Sequence, residues 1–396
     1  VQSQLQSLQH DIFSSEQSGL NTIQNLKTSK KITITSYSSS FSDKIISNIA
    51  KSIQLYSNKA EQLMSSLISE LNQSVSMSQT TSIGGTKSIF SFSSGAPYQI
   101  QMRNLDYVNV THDMMQQLEK IFSNEKLDAH FYDKLKNSLK SLIIFEENSL
   151  KPFVQSACDC VQAILITMHQ EDLSQSQTCS LYIKELQQVI QRISRDYLQL
   201  YNCKDILNSY LNQISMRCIE LFVRNASLLR PQSDSSRLRL KNDSEQIEFI
   251  IQNFLTPKLT DLGLSYKLLK AFRHLLELKS PYEAHNETSN IADENYYSDV
   301  LAESLPYHIL LHYLFSYAPD DFKSPHQSLG DWTIAKYSEW LDKHPNEKER
   351  LLVIKTCLES YVNSVKQRKE KTFANIYPLM FKLLEKGLQS VLNTPF

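Results

Sequence analysis

Residues 45–75 read IISNIAKSIQLYSNKAEQLMSSLISELNQSV, and this stretch decides the fold class of the chain. Its apolar residues recur at steps of three or four, the spacing of one face of an α-helix. They are Ile45, Ile49, Ile53, Tyr56, Ala60, Leu63, Leu67, Leu71 and Val75. A coiled-coil seam is less favoured because charged residues are scarce beside the stripe. We therefore predict one amphipathic helix of about nine turns, packed within a bundle.

Glycine is scarce throughout the chain, with 7 among 396 residues, where ordinary usage is about 7%. The sequence has no glycine-rich phosphate-binding motif and no nucleophile elbow. It also lacks the glycines that the tight turns of β-proteins require. Further apolar stripes at helical spacing recur from residue 112 onward. The sequence therefore predicts an all-α fold, an elongated stack of helical bundles in the form of a helical rod.

Two breaks in the helical pattern suggest how the chain is divided. Residues 79–111 hold three of the glycines and Pro97, and residues 229–243 combine Pro231 with a cluster of serine and aspartate. Both are expected to be loops, since such residues end helices. The predicted segments are N-terminal long helices at 1–78, a connector loop at 79–111, a middle helical bundle at 112–228, a linker at 229–243 and a C-terminal helical bundle at 244–396.

Neither the charge balance nor the side-chain patterns indicate nucleic-acid binding, a metal site or catalysis. The chain has 41 basic and 42 acidic residues, so no excess of positive charge favours a nucleic-acid partner. His308 and His312 share a helix face, but Ile309 stands where a zinc protease motif has glutamate. The six cysteines form no C-x-x-C pair and are typical of reduced cytosolic thiols. We predict a protein that is not an enzyme, without catalytic residues, metal or cofactor.

The densest basic stretch is a candidate interaction site. It comprises Arg224, Arg230, Arg237, Arg239 and Lys241. A flexible basic segment can meet anionic lipid headgroups, or it can dock an acidic partner. The alternative is a solvated linker that merely separates two bundles.

The two tryptophans, Trp332 and Trp340, are candidate anchors. They lie eight residues apart on one short predicted helix, beside Tyr337 and Leu341. Core packing is the favoured interpretation of Trp340, because the opposite side of this helix is charged. The alternative is an interface with another protein, where tryptophan is enriched.

Several strings in the second half of the chain resemble one known family. They are Asn225–Pro231, Gly263–Tyr266, Phe322–Pro325, Tyr337–Asp342, Glu347–Leu352 and the pair Tyr377 and Pro378. Together they resemble the C-terminal part of the fifth subunit of the conserved oligomeric Golgi complex, over about residues 215–396. None of the strings is a chemical signature, so the resemblance rests on their combination.

The resemblance implies a non-enzymatic scaffold subunit of a vesicle-tethering complex. Such a subunit works peripherally on the cytoplasmic face of Golgi membranes, in retrograde intra-Golgi vesicle transport and thereby in the recycling of glycosylation enzymes. The implied partners are the other subunits of the complex, especially the seventh, and SNARE and Rab proteins through the complex. The alternative is a helical lipid-binding or enzymatic module with an unrecognised site, which a large enclosed polar pocket would favour.

Overall fold

A computed structural model describes residues 39–77, 96–123, 129–174, 179–230, 233–278, 304–330 and 332–393. These ranges contain α-helices joined by turns and three short 3₁₀ segments, with no β-strand among them. The helices are α1 (Ser39–Met77), α2 (Ala96–Ser123), α3 (Ala129–Leu165), α4 (Leu181–Asp196), α5 (Lys204–Ser227), α6 (Asp234–Phe254), α7 (Leu264–Glu277), α8 (Tyr307–Phe315), α9 (Pro325–Ser328), α10 (Ile334–Lys343), α11 (Glu347–Gln367) and α12 (Tyr377–Asn393). The predicted all-α class is confirmed for the described residues.

The chain divides into two compact units. Unit 1 contains the described residues up to Ala157 together with Ile193–Tyr210, and unit 2 contains Cys158–Arg192 and the described residues from Leu211 onward. The residues of α3, α4 and α5 are therefore shared between the units. Each unit has its own buried side chains, so each is described by itself.

The core of unit 1 is built from α1, α2 and α3. The α1 stripe contributes Ile53 and Ala60, which are 2% and 4% exposed. They pack with buried residues of the other two helices, among them Leu118, Leu142 and Phe145. The stripe is confirmed as far as Leu63, which packs on this core. Its later members, Leu67, Leu71 and Val75, have side chains outside the described residues.

The core of unit 2 forms around α8, in which every residue from His308 to Phe315 is buried. Such a helix is apolar on all sides, and it is stable only when other helices surround it. Helices α11 and α12 pack against α8 and against each other. Gly387 of α12 permits a close approach, because its Cα faces the Tyr307 side chain.

The expected connector loop at 79–111 is wrong over residues 96–111, which belong to α2. Pro97 lies in the first turn, where a missing N–H removes no helical hydrogen bond. Leu105 and Val108 are buried, and the Thr111 hydroxyl donates to the carbonyl of Tyr107 at 2.8 Å. Burial of these side chains outweighs the weak local pattern. Residues 1–38 and 79–95 of the expected segments lie outside the described residues.

The expected linker at 229–243 is wrong over residues 234–243, which form the start of α6. The Ser233 hydroxyl accepts a hydrogen bond from the backbone N–H of Ser236 at 3.2 Å, which caps the helix. Leu240 is fully buried and Arg239 is 5% exposed. The serine and aspartate cluster is therefore a helix start, because these residue types serve both loops and N-caps.

Substituting Gly387→Ala tests the packing of α12 on α8. A β-carbon at this position would lie 2.9 Å from Cγ of Tyr307 and 3.0 Å from Cδ1 of Leu351. We expect the variant to lose roughly 1–3 kcal/mol of unfolding free energy through overpacking, despite a gain of about 1 kcal/mol in helix propensity. Urea unfolding measures it, with the exposed-site variant Gln389→Ala as control. Unchanged or increased stability of Gly387→Ala would contradict the close packing.

Candidate functional site

A buried ionic group joins α5 and α10 in unit 2. Arg224, which is 2% exposed, donates to Oδ1 of Asp342 at 2.6 Å and to the Ser338 carbonyl at 3.2 Å. Arg217 donates to Oδ2 of Asp342 at 2.7 Å. Burial would raise the pKa of Asp342, but hydrogen bonds from Arg217 and the charge of Arg224 hold it below its usual value. Glu220 of α5 contacts both arginines as well, at 3.2 Å from Arg217 and 2.5 Å from Arg224, so two carboxylates balance two guanidinium groups.

A second buried polar group joins α8 to α11. The backbone N–H of His308 donates to Oε1 of Glu347 at 2.9 Å, and its Nδ1 contacts Oε2. Arg350 contacts Nε2 of His308 at 3.0 Å, which is consistent with a neutral imidazole that donates through Nδ1 and accepts through Nε2. Burial lowers the pKa of His308 and lowers that of His312 well below its usual value. Both histidines are therefore neutral packing residues at pH 7.

The described residues contain no group of three or more histidine, cysteine, aspartate or glutamate side chains placed to hold a metal ion. The six cysteines all lie in the described ranges, and none of them is joined in a disulfide there. Burial raises the pKa of Cys158 and Cys357 to about 11, so both thiols remain protonated at neutral pH.

The basic stretch is not a flexible linker, because all five of its cations bind acceptors within unit 2. Arg230 donates to the carbonyls of Ala318 at 2.8 Å and Phe322 at 3.0 Å. Arg239 donates to Oε2 of Glu171 at 3.0 Å and to Oγ of Ser180 at 2.8 Å. The other contacts are those of Arg224 to Asp342, Arg237 to Asp234 and the Leu278 carbonyl, and Lys241 to Glu277. The expected solvated linker is wrong, because these acceptors come largely from distant parts of the chain.

A surface pocket of about 310 Å³ lies beside this stretch. The carboxylates of its acidic lining residues, Glu171 and Asp172, accept hydrogen bonds from nearby backbone N–H groups. Glu171 accepts from the backbone N–H groups of Leu181 and Tyr182 at 3.0 and 2.7 Å, and Asp172 accepts from Ser174 at 3.0 Å. Arg230, also in the lining, is directed to backbone carbonyls. The pocket therefore presents no convergent acid and base pair among the described residues.

The two tryptophans lie at the rim of a small apolar cluster in unit 2. Leu228, Tyr337 and Leu341 are buried there, and Trp332 and Trp340 pack on them while partly exposed. Trp340 stacks on His344 with ring centroids 4.2 Å apart, and Nζ of Lys336 lies 4.7 Å from the centroid of the Trp332 ring. The indoles are thus neither core residues nor free surface residues.

An exposed aromatic surface follows α11, and we name it the aromatic corner: Phe373, Tyr377 and Phe381. Phe373 and Phe381 are each 43% exposed. Tyr377 stacks between them, with ring centroids 4.8 Å from Phe373 and 6.1 Å from Phe381. The sequence shows an aromatic residue at every fourth position here, but it does not show that this surface is exposed. Spacing alone does not tell an exposed stripe from a buried one.

Unit 1 contains a buried carboxyl group with an incomplete set of partners. Glu146 is 0% exposed, and its Oε1 lies 3.2 Å from Nδ1 of His112. Its Oε2 has no hydrogen-bond partner among the described residues. Burial, with smaller contributions from Glu119 and Glu147, raises the pKa of Glu146 from 4.5 to about 7. We therefore expect protonation of this carboxyl to make the free energy of unfolding depend on pH.

Fold and site together define an all-α protein whose buried charged groups connect its own helices. No helix in the described ranges is both long and apolar enough to cross a membrane. No family model matches the sequence, and no solved structure gives a significant match.

Curated relatives identify the family. A mouse protein named conserved oligomeric Golgi complex subunit 5 is 35% identical over 353 residues, which are 87% of this chain and 38% of the mouse protein. The Drosophila melanogaster protein of the same name is 27% identical over 74% of this chain, and the Arabidopsis thaliana protein is 28% identical over 59%. This chain belongs to the family of the fifth subunit of the conserved oligomeric Golgi complex. It spans 38% of the length of the mouse and fly relatives.

Substituting Asp342→Asn tests the buried ionic group. Loss of the carboxylate leaves the buried Arg224 with Glu220 as its remaining counter-charge. We therefore expect the unfolding free energy to fall by roughly 1–3 kcal/mol, less than when a buried charge loses its sole partner. Denaturant unfolding measures the change. Glu339→Gln on the same helix is the control, because it removes only the exposed pair with Lys343. Equal losses of unfolding free energy in the two variants would show that the buried ionic group stabilises the fold no more than the exposed pair does.

The pH dependence of stability tests Glu146. Because its pKa is higher in the folded state, the folded chain binds an extra proton between about pH 4.5 and 7. Stability therefore falls as pH rises through this window and is level above it. We expect Glu146→Gln to abolish that fall and to be more stable than the wild type at pH 8, by roughly 1–3 kcal/mol.

The measurement is urea unfolding at several pH values between 4 and 8, with Asp133→Asn as the control because Asp133 is an exposed carboxylate of the same unit. An unaltered pH profile in Glu146→Gln would show that Glu146 does not titrate in this range.

Proposed function

We propose that this chain is part of a non-enzymatic scaffold subunit of a Golgi vesicle-tethering complex. One observation carries the proposal: 35% identity, over 87% of the chain, to a mouse protein named as a subunit of the conserved oligomeric Golgi complex. The described charged groups support a scaffold role, because the buried Arg224 and Arg239 pair with Asp342 and Glu171 and so join distant parts of the chain. A scaffold needs such internal pairing, since it must hold its surfaces in fixed positions.

We further propose that the subunit acts on the cytoplasmic face of Golgi membranes. Its role there is retrograde intra-Golgi vesicle transport, and thereby the recycling of glycosylation enzymes. Its proposed partners are the other subunits of the complex, especially the seventh, with SNARE and Rab proteins contacted through the complex.

The half-exposed tryptophans are the proposed contact with a partner subunit. Tryptophan contributes strongly to protein interfaces, because its large rigid surface loses little conformational entropy on binding. Trp332 is the more suitable anchor, since its partly exposed ring packs on the apolar cluster and carries the exposed Lys336 ammonium group 4.7 Å from its centroid, where a partner can replace it. Trp340 supports α10 itself by stacking on Tyr337 and His344.

Affinity purification of the full-length protein from cells tests the function. We expect the other subunits of the complex to co-purify, the seventh among them. Recovery of the protein without any of them would contradict the proposal.

The variants Trp332→Ala and Trp340→Ala test the contact. We expect Trp332→Ala to weaken co-purification of the seventh subunit while the melting temperature falls only slightly, because the ring packs on the apolar cluster but is partly exposed. Trp340→Ala should lower the melting temperature, at a cost below the ~3–5 kcal/mol of a fully buried aromatic residue. Full recovery of the seventh subunit with Trp332→Ala would contradict the proposed contact. It would not contradict the proposed function, which the purification of the wild-type protein tests separately.

A further inference from the structure

We infer that the aromatic corner, together with the lysines of the turn before it, is a binding site for an anionic membrane surface. The lysines are Lys366, Lys369 and Lys371, all exposed. They lie within eight residues of chain that ends at Phe373. The inference concerns direct contact of this chain with lipid, and it does not depend on which complex the chain joins.

The aromatic corner is held rigidly from behind while its front remains in solvent. Tyr361 of α11 stacks on the fully buried Phe322, with ring centroids 4.0 Å apart and an interplanar angle of 9°. Its hydroxyl accepts a hydrogen bond from the backbone N–H of Ala374 at 3.0 Å, which ties the turn to α11. Phe373 and Phe381 thus expose aromatic surface at fixed positions, as residues at membrane interfaces do.

The charge of the turn is complementary to anionic lipid. Two nearby carboxylates, Asp321 and Glu370, are both paired with Arg368. Lys366, Lys369 and Lys371 have no carboxylate within ion-pair distance in the part of the chain that the structure describes. Lysines near an anionic bilayer each strengthen binding roughly five-fold. An acidic protein segment would satisfy the lysines too, but exposed phenylalanines next to long lysine stems are better suited to the boundary between headgroups and acyl chains.

The backbone at Lys369 supports a role for its charge. This residue has a φ of +57°, a left-handed conformation in which glycine is strongly preferred. It ends α11 with the two hydrogen bonds of a Schellman motif, from Lys369 N–H to the Lys366 carbonyl at 3.1 Å and from Glu370 N–H to the Val365 carbonyl at 3.2 Å. A lysine at this strained position is explained if its ammonium group binds a partner outside this chain.

The same conformation supplies a test variant that removes charge without harming the fold. Lys369→Gly relieves the positive φ and deletes the ammonium group. Combined with Lys366→Gln and Lys371→Gln, it removes the charges of all three lysines. A second variant, Phe373→Ser with Phe381→Ser, removes the aromatic surface. The control is Leu264→Ser with Lys343→Gln, which removes an 81% exposed leucine and an exposed, paired lysine elsewhere in unit 2.

The experiment is co-sedimentation of the purified 396-residue chain with vesicles. The vesicles contain phosphatidylcholine alone or phosphatidylcholine mixed with phosphatidylserine. We expect the wild type to prefer the phosphatidylserine vesicles and to lose this preference in high salt. The triple lysine variant should bind them roughly 100-fold more weakly, the double phenylalanine variant should also bind weakly, and the control should bind like the wild type. Melting curves confirm that each variant is folded.

Three results would overturn the inference. They are no binding of the wild type to the phosphatidylserine vesicles, equal binding to both kinds of vesicle, and unchanged binding by a folded triple lysine variant. If the wild type binds neither kind of vesicle but does bind an acidic peptide, the surface is assigned to a protein partner instead. If the double phenylalanine variant fails to fold, the triple lysine variant alone decides, since Lys369→Gly favours the native turn.

Discussion

The buried guanidinium of Arg224 is the constraint on which the arrangement of α5 and α10 depends. A charge with 2% exposure is tolerated only with a counter-charge and filled hydrogen bonds. Glu220 of α5 and Asp342 in the last turn of α10 provide the counter-charges, and Asp342 also binds Arg217 from an earlier turn of α5. Arg350 of α11 then donates to the carbonyls of Leu341 and His344, which satisfies the end of α10. Trp340 lies on α10, so these contacts help to place it.

Serine is abundant in this chain, and many of its hydroxyls are hydrogen-bonded within one helix or between two. Several buried or half-buried hydroxyls donate to the carbonyl four residues earlier in the same helix, as Ser149 does to Phe145 and Ser215 to Leu211. Others connect helices, as Ser57 of α1 does with the Ser141 carbonyl of α3. A polar composition is therefore compatible with a packed interior, since such buried hydroxyls have acceptors.

The cations of unit 2 fall into two classes that the sequence does not separate. The arginines between residues 224 and 239 hold helices and turns together, and they are paired with carbonyls or carboxylates. The lysines at 366, 369 and 371 lie in an exposed turn beside exposed aromatic rings. By sequence alone the arginines resemble an interaction stretch, yet their role is structural. The lysines have the sequence of an ordinary helix terminus, yet their exposure makes them the better candidates for recognition.

The sequence alone determined the helical class and the α1 stripe as far as Leu63. These follow from local periodicity and from the scarcity of glycine, which act over a few residues at a time. It did not determine where α2 and α6 begin, because serine, aspartate and proline mark both loops and helix starts. Nor did it show that Arg224 also binds Asp342 or that Arg239 binds Glu171, since each of these partners is more than 50 residues away in the chain. Whether a charge is buried or solvated depends on such distant neighbours, and only the tertiary structure brings them together.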